Sequence, residues 1–289
     1  MDSRRDLIGK ETKLWNAGYC TLVDFLGDDL TPVKAARMST LNPTGVDMTK
    51  DDGLRDYLWR HHHVSPFEQC EVVFEMQIPI FIARQLIRHR VLQINEMSLR
   101  YSEPMFEYYI PDYDDVCYDS DFNKQLSGQV CEVGIAEDFI NESKAMAILN
   151  KSKYDKYRKM GIAKERVRDL QPVSSMTRLV VKANLRNWYG VLQLRLGHGA
   201  QREFRELSQA IYDIIKQLYP KCSAVFEEHT LNAISLGATE LSILKEFIES
   251  IADAARIDSE ITSAEYLDIL TNGQLSGSKK REFLGKLGL

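Results

Sequence analysis

No run of this 289-residue chain approaches about eighteen uncharged apolar residues, so no membrane-spanning helix is expected. The opening MDSRRDLIGKETKLWNAG lacks the apolar stretch of a secretory signal. The five cysteines, Cys20, Cys70, Cys117, Cys131 and Cys222, are odd in number and scattered, forming neither a disulfide framework nor a Cys-x-x-Cys zinc knuckle. Reduced thiols in a cytoplasmic protein, with no metal site, are the expectation. Glycines form no dinucleotide fingerprint and no phosphate-binding loop, because GHG at 197–199 has the spacing of neither. Positive charge is in deficit, with 37 Lys and Arg against 42 Asp and Glu. That balance argues against a general nucleic-acid-coating surface and leaves a local basic pocket open. Without an internal repeat or a Pro/Gly-rich linker, the length suits one large domain or two modest ones.

What is present reads as a mixed α/β chain. GYCTLVDFLGD suggests a strand and turn, and TPVKAARMS a helix with Thr31 as N-cap and Pro32 in its first turn. A turn-rich segment, LNPTGVDMTKDDG, precedes a helix from about Leu54 toward HHHVSPFEQ. CEVVFEMQIPI, rich in Val, Ile and Phe, is the clearest strand; Pro79 ends it and opens a helix carrying IFIARQLIRHR. VLQINEMSLRYS is less periodic and reads as loop with a turn of helix. A long helix is expected from about Phe122 to Met160, a shorter one over GIAKERVRDLQPV, a strand over MTRLVVKANL, and helices over most of the remainder.

Three constellations carry chemistry. RQLIRHRVLQINEMSLRYS holds Arg84, Arg88, Arg90, Arg100 and His89 against one carboxylate, Glu96. At helical spacing, Arg84 with Arg88 and Gln85 with His89 share neighbouring stripes. Arginine's planar fork suits phosphate or carboxylate, and unpaired charge among apolar residues is costly, so either an anionic ligand or a solvated helix face is implied. In HHHVSPFE, three successive histidines cannot face one metal, and Ser65 with Glu68 has the spacing of a capping box. In the third, Arg168, Arg178, Arg186, Arg195 and Arg202 recur among Asn184, Asn187 and Gln201. Two arginine-rich regions about a hundred residues apart are consistent with a phosphorylated small ligand, and spacing alone names no reaction.

The run Arg88-His89-Arg90 followed by Asn95, Glu96, Ser98, Arg100 and Tyr101 resembles the RHRxxSxNExSxRY signature of flavin-dependent thymidylate synthases. The likeness extends to AARMS at 35–39, HHHVSPFE, PIFIARQ at 79–85, KANLR and LRLGHGAQREFRE, and TELSILKEF is similar to the tail of longer members. It implies an α/β (α+β) fold with a curled, largely antiparallel sheet flanked by helices, active sites between subunits, and a homotetramer. A catalytic domain over 1–250 would be followed by a helical extension over 251–289, packing on the same domain or a neighbouring subunit. It implies reductive methylation of dUMP to dTMP with FAD, methylenetetrahydrofolate and NADPH; an alternative is C5 methylation or hydroxymethylation of another uracil nucleotide. Ser39, His63, Ser65, Glu68, Arg88, His89, Arg90, Glu96, Asn184, Leu185, Arg186 and Gly190 would bind the cofactor. Gln85, Leu86, Ile87, Arg88, Glu96, Met97, Ser98, Leu99, Arg100, Arg168 and Arg195 would bind the nucleotide, with Arg195 catalytic, near uracil N3 and O4. Neither nucleic acid nor membrane is expected as a partner. Gln93 stands where the signature commonly has serine, while Gly190 and Gly199 take places where larger residues are common.

Overall fold

The computed structural model describes residues 2–39, 48–121 and 127–256. Its centre is a five-stranded sheet in the order β1-β2-β3-β7-β4, every neighbouring pair antiparallel. The strands are β1 (Glu11–Leu14), β2 (Gly18–Leu26), β3 (Glu71–Pro79), β4 (Gln93–Glu96) and β7 (Met176–Asn184). A separate hairpin pairs β5 (Cys117–Asp119) with β6 (Ser127–Val130). The helices are α1 (Thr31–Met38), α2 (Met48–Arg60), α3 (Ile80–Leu86), α4 (Val133–Lys159), α5 (Lys164–Val167), α6 (Leu185–Arg195), α7 (Arg202–Leu218), α8 (Pro220–Phe226) and α9 (Ala238–Arg256). Two compact units divide the chain, Met1–Asn232 and Ala233–Leu289; α9 belongs to the second.

Alternation along the strands decides which face is buried. Val72, Phe74, Met76 and Ile78 of β3 lie beside Leu179, Val181 and Ala183 of β7 and Cys20 and Leu22 of β2, all buried. A bulge between Leu22 and Asp24 inserts a residue, so that Phe25 rather than Asp24 turns inward beside Val72. The opposite face is polar: Tyr19 donates to Glu75 at 2.8 Å, Arg178 to Gln77 at 2.9 Å, and Lys182 pairs with Glu71 at 2.6 Å. Trp188 and Leu192 of α6 and Phe204, Leu207, Ile211 and Ile215 of α7 join the inward side chains in one core.

The antiparallel pairing and the helices are as expected, but the curl is not there. β1 and β4 stay two separate edges, each only four residues long, and the sheet remains open. Five strands whose edges are this short offer too few ladder bonds to bring the ends together.

Local differences have local causes. Thr31 is the first residue of α1 and not its N-cap; Leu30 precedes the helix without a side-chain cap, and the Asp28 carboxylate accepts from the N–H groups of Leu30 and Thr31. α3 stops at Leu86, so Arg88 and His89 sit in the following turn rather than on a continuing helix. Gln93–Glu96 is an edge strand, β4; one apolar residue, Ile94, between polar neighbours left too weak an alternation to read. α4 begins at Val133, after β6, rather than near Phe122, which lies outside the described residues. Also outside them are much of LNPTGVDMTKDDG and the expected terminal segments EITSAEYLDILTN and GQLSGSKKREFLGKLGL.

Trp188 ties sheet to helix: its indole N–H donates to the Val72 carbonyl at 3.1 Å and its ring stands edge-on to Phe74. Trp188→Ala is expected to cost about 3–5 kcal/mol, read as a lowered urea midpoint.

Candidate active site

β3 and β7 each run directly into a helix that carries site residues. Pro79 fixes an extended backbone at the end of β3, and α3 starts at Ile80. Asn184 ends β7 and caps α6, its side-chain oxygen accepting from the Asn187 N–H at 2.9 Å. Asn187 in turn donates to the Val91 carbonyl, which fastens the Arg88–Leu92 turn to the start of α6.

The first group of expected residues surrounds a cavity of about 390 Å³ lined by Ala35, Ala36, Arg37, Ser39, Leu54, Leu58, His63, Ser65 and Pro66. α2 delivers His63 to it. Arg55, buried in α2, donates twice to the Asp29 carbonyl and once to Asp52. Asp56 meets His229 at 2.8 Å, and Trp59 donates to Thr230 at 3.0 Å. The helix then closes with His62 in the left-handed region (φ 59°) and the His63 N–H on the Leu58 carbonyl. The Ser65–Glu68 capping box does not form; Val64 precedes the turn Ser65–Gln69 without a side-chain cap, and Glu68 pairs instead with Arg186 of α6.

The second group meets where α3, α6 and α7 converge. Arg195 Nε donates to His89 Nε2 at 3.0 Å, and the guanidinium lies 4.8 Å from the Phe204 ring centre. Gln85 Nε2 donates to Gln201 Oε1 at 2.5 Å. Burial lowers the Arg195 pKa, and no carboxylate pairs with this guanidinium among the described residues. His89 is half-buried; burial first, and the Arg195 charge second, hold its imidazole below the ordinary 6.5. A neutral ring accepting at Nε2 keeps its proton on Nδ1.

The third group follows β4. Glu96 turns to the helix-covered face beside Leu179 and accepts from the Thr177 hydroxyl at 2.7 Å. Gln93, three residues earlier, is turned to the other face opposite Lys182. The Met97 N–H binds the Arg178 carbonyl; Ser98, Leu99 and Arg100 then form a turn in which the Tyr101 and Ser102 N–H groups bind the Ser98 carbonyl. Arg100 lies 3.7 Å from Glu165 of α5, and Arg168 stands three residues further along, exposed.

Arg88, Arg90 and Arg168 have no ion-pair partner among the described residues. Leu86 and Leu185 have fully buried side chains, which leaves those side chains out of reach of a ligand, while Ile87 is exposed. Gly190 is exposed, and a methyl group added there, or at Gly199, would meet nothing within 4 Å. No hydrogen bond or ion pair among the described residues joins the Ser39–His63–Ser65 cavity to Arg195 or Arg100. Burial raises the thiols of Cys20 and Cys70 to about 12, which removes both as nucleophiles at neutral pH. Thr177 and Phe204 were not singled out by sequence, and Gln201 was named only as a polar neighbour of the second arginine-rich region; Phe204 reads as one more apolar position of an amphipathic helix, and its contact is tertiary.

The family model described as thymidylate synthase complementing protein matches residues 21–221. A flavin-dependent thymidylate synthase of Wolbachia pipientis wMel is 34% identical over 265 residues, covering 92% of this chain and 93% of its own. That of Thermus thermophilus is 36% identical over 276 residues, with 93% of each chain covered. Among solved structures, a UMP/dUMP methylase, PolB from Streptomyces cacaoi bound with 5-Br dUMP, superposes with TM-score 0.69 at 28% identity, over 76% of this chain and 98% of that one. The same methylase bound with 5-Br UMP superposes with TM-score 0.68.

The depressed His89 pKa has a stability consequence of definite sign. Its contribution is complete above the ordinary histidine value and is lost as pH falls through the lower folded value. Between about pH 8 and pH 5, the urea midpoint is expected to fall more steeply in the wild type than in His89→Gln, which has no imidazole to protonate. Equal slopes would remove the neutral-imidazole reading.

Proposed function

The chain belongs to the flavin-dependent thymidylate synthase family, and from that premise we propose how its own residues carry the reaction. The enzyme methylates dUMP reductively to dTMP, with methylenetetrahydrofolate as the one-carbon donor and NADPH as the reductant. Bound FAD supplies the hydride and the redox chemistry, while the protein supplies position and electrostatics.

The residues present fit such a cofactor. The 390 Å³ cavity combines an apolar wall from Ala35, Ala36, Leu54 and Leu58 with the polar groups of Ser39, His63 and Ser65. Outside it, Arg88 and Arg90 are cations without carboxylate partners among the described residues, the chemistry a diphosphate calls for. In this reading the Glu68–Arg186 pair, His89, Glu96, Asn184, Leu185 and Gly190 complete the cofactor surface.

The nucleotide lies along Gln85, Leu86, Ile87, Arg88, Glu96, Met97, Ser98, Leu99 and Arg100. Arg100 and Arg168 hold its phosphate, while Ser98 and Gln85 orient the base. Arg195 faces the N3 and O4 edge of the uracil and stabilises the negative charge that builds there. Arg195 is the observation that carries this reading: a partly buried guanidinium without a carboxylate partner among the described residues, held by a neutral imidazole. Its charge is left available to a ligand, since a paired arginine would already be compensated. A homotetramer in the cytoplasm is part of the same reading; among the described residues, no helix is long and apolar enough to cross a membrane.

A second reading has its own support, because the structurally similar methylase is described as acting on UMP as well as dUMP. It holds that this enzyme modifies C5 of a uracil nucleotide other than dUMP. Mass analysis of products from dUMP and UMP, with folate and NADPH supplied, separates the two. A methylated product from dUMP alone supports the first reading, and one from UMP alone the second.

Arg195→Ala is expected to lower dTMP formation by about 10²–10³-fold while the purified protein keeps its flavin absorbance. Near-unchanged turnover at saturating dUMP would sink the role given to Arg195.

A further inference from the structure

The geometry points to the first turn of α7 as the platform that orients the site, with Phe204 and Gln201 as positioning residues for Arg195 and Gln85. This rests on the reading of Arg195 as the catalytic residue.

Phe204 is fully buried, with its ring centre 4.8 Å from the Arg195 guanidinium carbon and edge-on to His89 at 6.2 Å. The guanidinium therefore has two partners of different kinds. The negative face of the ring attracts the cation, and His89 Nε2 accepts the Nε–H at 3.0 Å. With its face covered and Nε engaged, the fork is held in one plane, and its two terminal nitrogens carry no protein hydrogen bond among the described residues. A carboxylate would also have held the side chain, but it would have cancelled the charge. A ring and a neutral imidazole fix the direction of Arg195 and leave its charge whole.

Gln201 does the equivalent for Gln85. Its side-chain oxygen takes the Gln85 amide N–H, which fixes how that amide is turned and leaves the Gln85 oxygen to accept from a ligand. Both residues belong to the start of one helix, Gln201 as the N-cap of α7 and Phe204 in its first turn. Further along, Leu207, Ile211, Ile214, Ile215 and Leu218 are buried in the main core, so the platform is anchored by the body of the molecule.

Phe204→Leu removes the ring and keeps apolar volume. Measured on the flavin-loaded enzyme below its unfolding midpoint, it is expected to lower kcat about 10-fold while dissociation constants for FAD and dUMP change less than about 2-fold. Phe204→Tyr, which restores a ring, is expected to restore kcat. A lowered unfolding midpoint with wild-type kcat would show that Phe204 only packs, and would overturn the proposal. Where Phe204→Leu does not fold, Gln201→Leu decides, because Gln201 is exposed. It is expected to raise KM for dUMP at an unchanged unfolding midpoint, and wild-type kinetics would overturn the proposal. Arg195→Ala run in parallel separates the levels: its failure to lose activity removes the reading beneath. Its loss of activity beside a wild-type Phe204→Leu removes only the platform.

Discussion

The pairing of β3 with β7 is the constraint on which the rest depends. The two strands are matched residue for residue from Glu71 opposite Asn184 to Pro79 opposite Met176. Each then leads into a helix of the site, and because the strands are antiparallel, α3 leaves one end of the ladder and α6 the other. Nine paired residues span about 30 Å, while α3 and α6 with their seven and eleven residues run roughly 10 and 16 Å. The lengths bring the end of one toward the end of the other, and there His89 meets Arg195 at 3.0 Å. A one-residue slip of either strand would turn its inward face outward and separate the pair.

That meeting point differs chemically from its surroundings. Several other arginines are balanced by oxygen: Arg55 by Asp52 and the Asp29 carbonyl, Arg186 by Glu68, Arg202 by Asp115 and Glu206. In those pairs the charge is already compensated. Arg195 has an imidazole and a phenyl ring in place of a carboxylate, so the surroundings constrain its direction without neutralising it. Burial makes that charge harder to keep, as the lowered pKa registers, and a developing anion beside it is correspondingly more stabilised.

Much of this was legible locally. The β3 and β7 strands read directly because each alternates large apolar residues with polar ones, and Pro79 marks the passage into α3 through its own fixed φ. The arginine excess of the Arg84–Arg100 stretch was visible as charge without a counter-ion, and the RHR signature attached a family to it. What did not read locally had weak local signals. β4 is four residues long, and its identity depends on β7 being there to pair with it. Pattern placed Arg88 and His89 on one helix, which the chain ends at Leu86. Ser65 and Glu68 had the spacing of a cap, but the carboxylate had a better partner in Arg186, over a hundred residues away in sequence.

By itself, the sequence determined the core strands and most helical segments, and the resemblance carried by its RHR signature gave the family and the antiparallel pairing. The strands and helices follow from periodicity and backbone-restricting residues, which act over a few positions, and the family follows from the resemblance of its motifs. Tertiary structure alone decided that the sheet stays open, that Gln93 and Glu96 face opposite sides of it, and that Phe204 and His89 hold the Arg195 guanidinium, which no carboxylate pairs with among the described residues. Hydrogen bonds and ring contacts reach only a few ångströms. Which residues come within that reach is set by how the β3–β7 ladder and its two helices fold back on one another.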